Sequence, residues 1–206
     1  MITEGVQATF GVLSLVLGVT ASVPYMKAIV AGHRPPYATY LGWFFIGITA
    51  LTFHLGAIPP NNAKWSALLP GIFVLVPLAY ILLLLWYRAP MNLSKRDTIS
   101  LLGVAICWVI WVTSHGRNGE TSLASLAALL ATDLFASWPI LDDARKGMES
   151  GRANRVAWFI ASISSGMGLL AVSSLLSLEA VYPSYLFILM SSIFLLSVIY
   201  NPMEVI

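Results

Sequence analysis

The chain has 206 residues, 58% of them hydrophobic and 10% charged, with a mean hydropathy of +0.83 and a formal net charge of +2. Soluble domains carry about a quarter charged residues, so this composition excludes one and points to a helical membrane protein. A single cysteine, Cys107, excludes an internal disulfide and a multi-cysteine metal site.

Seven apolar stretches follow one another, at about 6–31, 38–57, 66–87, 98–114, 121–144, 155–177 and 181–200. Most reach the ~20 residues that cross ~30 Å of hydrocarbon as a helix, and the fourth is the shortest. None alternates as barrel strands do. The first has no basic leader, only Glu4, and reads as a retained helix rather than a signal peptide. Pro24 lies about two turns before its end, and Gly32 fits a helix C-cap. The second stretch carries Trp43 early and His54 late. Asp97 follows Lys95-Arg96 where the fourth begins, and an acid there complements the helix dipole. Trp108 and Trp111 lie three apart on that fourth stretch. The fifth places Asp133 near its middle and Pro139 near its end. The loop after it holds Arg145, Lys146, Gly147, Glu149, Arg152 and Arg155. The sixth carries Trp158 with Ser162, Ser164 and Ser165, and the seventh carries Ser191, Ser192 and Ser197 before Asn201-Pro202.

Two segments of the chain match at a constant offset of 115 residues. Pro24, Gly32 and Trp43 recur as Pro139, Gly147 and Trp158. Ala21-Ser22 meets Ala136-Ser137, Ala38 meets Ala153, Phe44 meets Phe159, Ile48 meets Ile163 and Leu55 meets Leu170. The repeat predicts two three-helix halves joined by one connector helix (3+1+3): residues 1–90, 91–117 and 118–206. An odd connector restores the starting side of the membrane, so the halves are expected to be parallel. With the N-terminus outside, Lys27, Arg34, Arg88, Lys95, Arg96, Arg145, Lys146, Arg152 and Arg155 fall inside, and Lys64 and Arg117 outside. That distribution predicts N-out, C-in. It also accounts for the basic residues without nucleic-acid binding.

The 3+1+3 layout, with a proline in helices one and five and a short basic loop after each, resembles the PQ-loop transporters. That group includes the SWEET sugar transporters, lysosomal amino-acid exporters and the KDEL-receptor fold. Tyr25 and Ile140 stand where that family's glutamine follows the proline. The chain is also similar to small bacterial seven-helix membrane proteins of unassigned function. The residues carrying this likeness are Pro24-Tyr25, Arg34-Pro35, Trp43, Asp97, Asp133, Glu149-Ser150 and Tyr182-Pro183-Ser184-Tyr185. These resemblances imply a bacterial inner-membrane protein.

Two related halves are a frequent build of transporters, with the solute site between them. The expectation is a transporter of a small polar solute (a sugar, an amino acid or a vitamin-like molecule) working by alternating access. The competing reading is a ligand-binding receptor or partner-binding scaffold on the same fold. Asp133, a carboxylate at membrane depth, is the first candidate for solute binding or proton coupling. Its repeat counterpart is Gly18, so such a site is asymmetric. Trp43 and Trp158 read either as interfacial belt residues or as a stacking wall for a solute. Ser164 is a candidate cavity hydroxyl, with helix packing as its other reading. His54 is a candidate proton relay or a histidine hydrogen-bonded at the interface. Pro24 and Pro139 are candidate hinges or static bends. Arg34, Asp142, Glu149 and Arg152 are candidates for a cytoplasmic gate of ion pairs. His33 and His115 fall in loops with no role assigned. No metal spacing, phosphate loop or nucleophile elbow is present, so no cofactor, metal or enzymatic activity is expected. The lipid bilayer and a small solute are the expected partners. Two complete halves make a monomer sufficient and leave a homo-oligomer open.

Overall fold

The computed structural model describes residues 3–33, 35–56, 65, 67–87, 93–118, 123–149, 151–172 and 180–200. They form seven helices: α1 (Glu4–Val30), α2 (Tyr37–Gly56), α3 (Leu68–Trp86), α4 (Lys95–Asn118), α5 (Leu123–Arg145), α6 (Arg152–Leu170) and α7 (Val181–Ile199). No strand occurs among the described residues. Among the described residues, four helical segments are long and apolar enough to cross a membrane: Glu4–Val30, Leu68–Trp86, Lys95–Thr113 and Val181–Ile199. Large apolar side chains also cover the outside, and Leu75, Leu82, Ile106, Ile188 and Ile199 are each more than half exposed. Water penalises such a surface, whereas lipid tails solvate it.

The apolar stretches and the helices agree closely, with instructive differences at the ends. α4 begins at Lys95 because Ser94 caps it. The Ser94 amide and hydroxyl donate to Asp97 Oδ2 at 2.9 and 2.7 Å, and the Asp97 amide donates to Ser94 Oγ at 3.2 Å. This is a capping box with aspartate as the acid. α6 starts at Arg152 and runs to Leu170; residues 173–177 of the expected sixth stretch lie outside the described residues.

The repeat is visible in backbone hydrogen bonds. Gly32 and Gly147 both adopt positive φ, 108° and 76°. His33 N–H bonds Ala28 O and Gly32 N–H bonds Ile29 O; Met148 N–H bonds Asp143 O and Gly147 N–H bonds Ala144 O. Each pair is related by the same 115-residue offset. Both helices thus end in a Schellman-type turn that needs a left-handed residue, which glycine supplies without strain.

Helix packing follows the same exchange. α1 packs on α3 and α6, α2 on α3 and α5, and α7 on α5 and α6. Swapping α1 with α5, α2 with α6 and α3 with α7 returns these same pairs, while a small α3–α6 contact has no counterpart of its size. α4 has no counterpart and packs on α5 and α2.

Prolines and glycines set how closely these helices approach. α1 and α5 run through Pro24 and Pro139, and α3 runs through Pro77, which sequence reading passed over. Pro139 deprives the Phe135 carbonyl of its helical partner. The Ser100 hydroxyl of α4 takes that carbonyl at 2.6 Å, tying the connector to α5. Pro77 likewise frees the Phe73 carbonyl, and Gly47 of α2 lies directly against it. At Gly42, an added Cβ would meet Ala136 Cβ at 2.5 Å, so α2 and α5 touch through small residues.

Candidate functional site

A cavity of about 70 Å³ lies between α1, α2, α3, α6 and α7. A water needs ~10–15 Å³ on this kind of measure, so there is room for about five waters or a solute of similar bulk. The repeated tryptophans both line it, Trp43 from α2 and Trp158 from α6. Their ring centroids are 6.1 Å apart at 75°. At 3% and 6% exposure they sit in the core, not in an interfacial belt.

More aromatic residues continue the wall. Tyr25 of α1 and Phe73 and Tyr80 of α3 also line the cavity. Tyr25 lies 5.4 Å from Trp158 and 5.3 Å from Tyr80, and Phe73 lies 6.2 Å from Trp43. Tyr40 packs behind them, 5.5 Å from Trp43 and 4.9 Å from Tyr80. Edge-to-face aromatic contacts at such distances stabilise the wall beyond simple burial. Gly18 leaves the space open on α1, where an added Cβ would meet Ile72 Cδ1 at 2.7 Å and Ser164 Oγ at 3.1 Å.

The polar hydrogens of the lining side chains are all committed elsewhere. The Ser22, Ser164 and Ser165 hydroxyls donate to the carbonyls of Val19, Ser14 and Ala161 at 2.6, 2.7 and 3.0 Å. Ser14 returns a bond to Ser164 O at 2.9 Å, locking α1 to α6. Tyr80 OH makes a long bond, 3.5 Å, to Ser22 O. The two indoles and Tyr25 donate away from the cavity, toward buried acids.

Glu149 is one of those acids. It is fully buried in the turn between α5 and α6. Trp158 Nε1 donates to its Oε2 at 3.1 Å and Tyr25 OH to its Oε1 at 3.2 Å. His33 Nε2 lies 3.2 Å from Glu149 Oε1, 3.3 Å from the Tyr25 hydroxyl and 3.4 Å from Asn154 Nδ2. A buried carboxylate is tolerated when donors surround it in this way. The network joins the end of α1 to the start of α6 beneath two cavity residues.

Asp133 is the other acid, also fully buried. Ser137 Oγ donates to its Oδ1 at 3.0 Å and Tyr182 OH to its Oδ2 at 3.3 Å. Trp43 Nε1 donates to Ser137 Oγ at 2.8 Å. Asp133 therefore stands behind Trp43, one hydroxyl removed, and is not among the cavity-lining residues.

Of the residues singled out in the sequence, Trp43, Trp158 and Ser164 meet at the cavity, and Glu149 lies behind its wall. Asp142 belongs to a separate cluster. Arg96 Nη1 of α4 reaches Asp142 at 2.8 Å and Asp143 at 2.5 Å, and Lys146 reaches Asp142 at 2.6 Å. Arg152 is exposed and makes no ion pair among the described residues. Arg34, the His54 side chain and the His115 side chain lie outside the described residues. The expected interloop pairing of Glu149 with loop arginines is replaced by bonds to Tyr25, Trp158 and His33, because the turn that carries Glu149 tucks beneath α1 and α6. His33, assigned no role from sequence, belongs to that network. Tyr80 and Phe73 also went unnoticed, and Tyr25 and Arg96 were noted without a place in the site. Tyr25 stood beside a repeated proline, which was the one available signal.

No protein-family model, curated protein or solved structure matches the chain.

Proposed function

We propose that the chain is a seven-span membrane transporter of a small solute, built 3+1+3 and working by alternating access. The observation that carries this reading is the central cavity walled by the repeated tryptophans, one from each proposed half. In this reading residues 1–90 and 118–206 are parallel halves joined by α4, with the N-terminus outside and the C-terminus inside. The swap symmetry of helix neighbours and the matched Schellman turns support two equivalent units. The loop charges support the orientation. The seams between the halves are α1 on α6 and α2 on α5, and the cavity lies along the first of them. Pro24 and Pro139 supply matched weak points at which α1 and α5 bend. Glu149, bridging Tyr25 and Trp158, is the closure on the cytoplasmic side. Asp133 acts on the site through Ser137 and Trp43. The bacterial inner membrane is the proposed location.

Uptake into proteoliposomes against a panel of small solutes tests this reading. The wild-type protein is expected to carry at least one solute, and Trp43→Ala and Trp158→Ala to abolish that uptake while the protein still melts cooperatively in detergent. Specific binding of a solute with no uptake would overturn transport in favour of a receptor on the same scaffold.

A further inference from the structure

We infer that the cavity takes a small organic cation, a quaternary or fully substituted ammonium of about five to seven non-hydrogen atoms. This rests on the solute-site reading above and narrows it. A sugar hydroxyl or a carboxylate is recognised by N–H and O–H donors aimed into the site. Here each such hydrogen on the wall is already bonded elsewhere. Trp43 and Trp158 turn their indole N–H groups away from the space, which leaves ring carbon as the surface they offer. Tyr25 spends its hydroxyl hydrogen on Glu149. No lysine, arginine or histidine lines the cavity among the described residues, so nothing there compensates an anion.

What remains suits a cation that needs no hydrogen bonds. An ammonium against Trp, Tyr or Phe rings is attracted by their quadrupoles, and quaternary ammonium recognition uses several rings at once. Behind two of these rings sits the Glu149 carboxylate, one hydrogen bond from the cavity wall. The Asp133 carboxyl lies behind Trp43. In a water-poor interior such groups lower the cost of a buried positive charge far more than they would in solvent. The volume of about 70 Å³ sets the size class.

The test is equilibrium binding of radiolabelled tetramethylammonium and choline to the purified full-length protein in nanodiscs. Competitors are the uncharged carbon isostere of choline, glucose and acetate. Choline is expected to bind at least tenfold more tightly than its uncharged isostere, a difference of about 1.4 kcal/mol. Glucose and acetate should not compete. Trp43→Phe and Trp158→Phe keep an aromatic ring with a weaker quadrupole, and each should weaken choline binding several-fold and by a larger factor than it weakens binding of the isostere. Equal competition by the isostere, or no detectable binding of either cation, would overturn the proposal, and neither outcome depends on a variant that folds. Cation binding without uptake leaves the inference standing and removes transport. Uptake of a neutral solute that choline does not inhibit removes the inference and leaves transport.

Discussion

Glu149→Gln tests the buried junction beneath the cavity. The change is isosteric but removes the charge and one acceptor oxygen. Trp158 can only donate, so the amide oxygen must turn toward its Nε1 and the amide nitrogen toward Tyr25 and His33. The Tyr25 hydroxyl can accept from that amide and turn its own hydrogen to His33 Nε2, 3.3 Å away, so no donor is stranded. The loss is the charge assistance of two bonds. Hydrogen bonds to charged groups contribute ~1.5–3 kcal/mol against ~0.5–1.5 for neutral ones, so the expected cost is about 2–3 kcal/mol. At ~2–4 °C per kcal/mol for a chain of this size, the midpoint falls by roughly 5–10 °C. Glu149→Ala should fall further, because it strands the buried Trp158 N–H at ~1–3 kcal/mol more. Asp142→Asn is the control. Its carboxylate also pairs with two cations, but its side chain is 24% exposed and its Lys146 partner 58%. Such solvent-screened pairs contribute at most ~1 kcal/mol. The assay is thermal unfolding in detergent followed by tryptophan fluorescence. A Glu149→Gln midpoint equal to wild type, or an Asp142→Asn shift larger than it, would refute the reasoning.

Gly47→Ala should destabilise by about 1–3 kcal/mol or more, because the added methyl meets the Phe73 carbonyl group and lies 2.7 Å from Val74 N, backbone atoms that cannot step aside. Gly71→Ala, with nothing within 4 Å of its added Cβ, should stay within ~0.5 kcal/mol of wild type in the same melts. Asp133→Asn should cost about 1 kcal/mol, since the Ser137 and Tyr182 hydroxyls can each turn to accept from the new amide. In uptake assays its ratio with and without a pH gradient should equal that of wild type, because Asp133 is screened from the cavity by Trp43 and Ser137. Loss of that ratio in the variant would make Asp133 a coupling group.

Helix number and the repeated caps were legible because both are local. Hydrophobic length sets a span, and a left-handed glycine after a helix leaves a fixed mark in sequence. The site was only half legible. Trp43 and Trp158 were readable as a pair because the offset relates them, but nothing local says whether an indole faces lipid or core. Their partners were hidden for the same reason. Tyr25 and Glu149 are 124 residues apart and meet because α1 packs on α6. Arg96 finds Asp142 and Asp143 because α4 packs on α5. Charge pattern grouped Asp142 with Arg34, Glu149 and Arg152 as a gate, whereas Asp142 pairs with Arg96 across α4 and α5 and with Lys146 one turn away.

The repeat also shows where the two halves stop being equivalent. Trp158 bonds an acid directly, Glu149, and Trp43 reaches one through the Ser137 hydroxyl, Asp133; both acids lie in the second half of the sequence. The positions matching Asp133 and Glu149 in the first half are Gly18 and Arg34. Beside the reciprocal Ser14–Ser164 pair, two side chains of the cavity wall bond across the proposed halves: Trp43 to Ser137, and Tyr25 to Glu149. They do so at different depths. Ser137 lies eight residues before the end of α5 at Arg145, about 12 Å along a helix of 1.5 Å rise, whereas Glu149 lies just beyond that end. Rocking of one half against the other about a point near Ser137 would break the Tyr25–Glu149 bond and keep the Trp43–Ser137 bond. Under the transport reading, the Glu149 junction then opens the cavity to the cytoplasm, while the Trp43–Ser137–Asp133 chain holds the pivot. Under the same reading, that division of labour fits an Asp133 bonded by hydroxyls near the middle of its helix and a Glu149 placed in a turn.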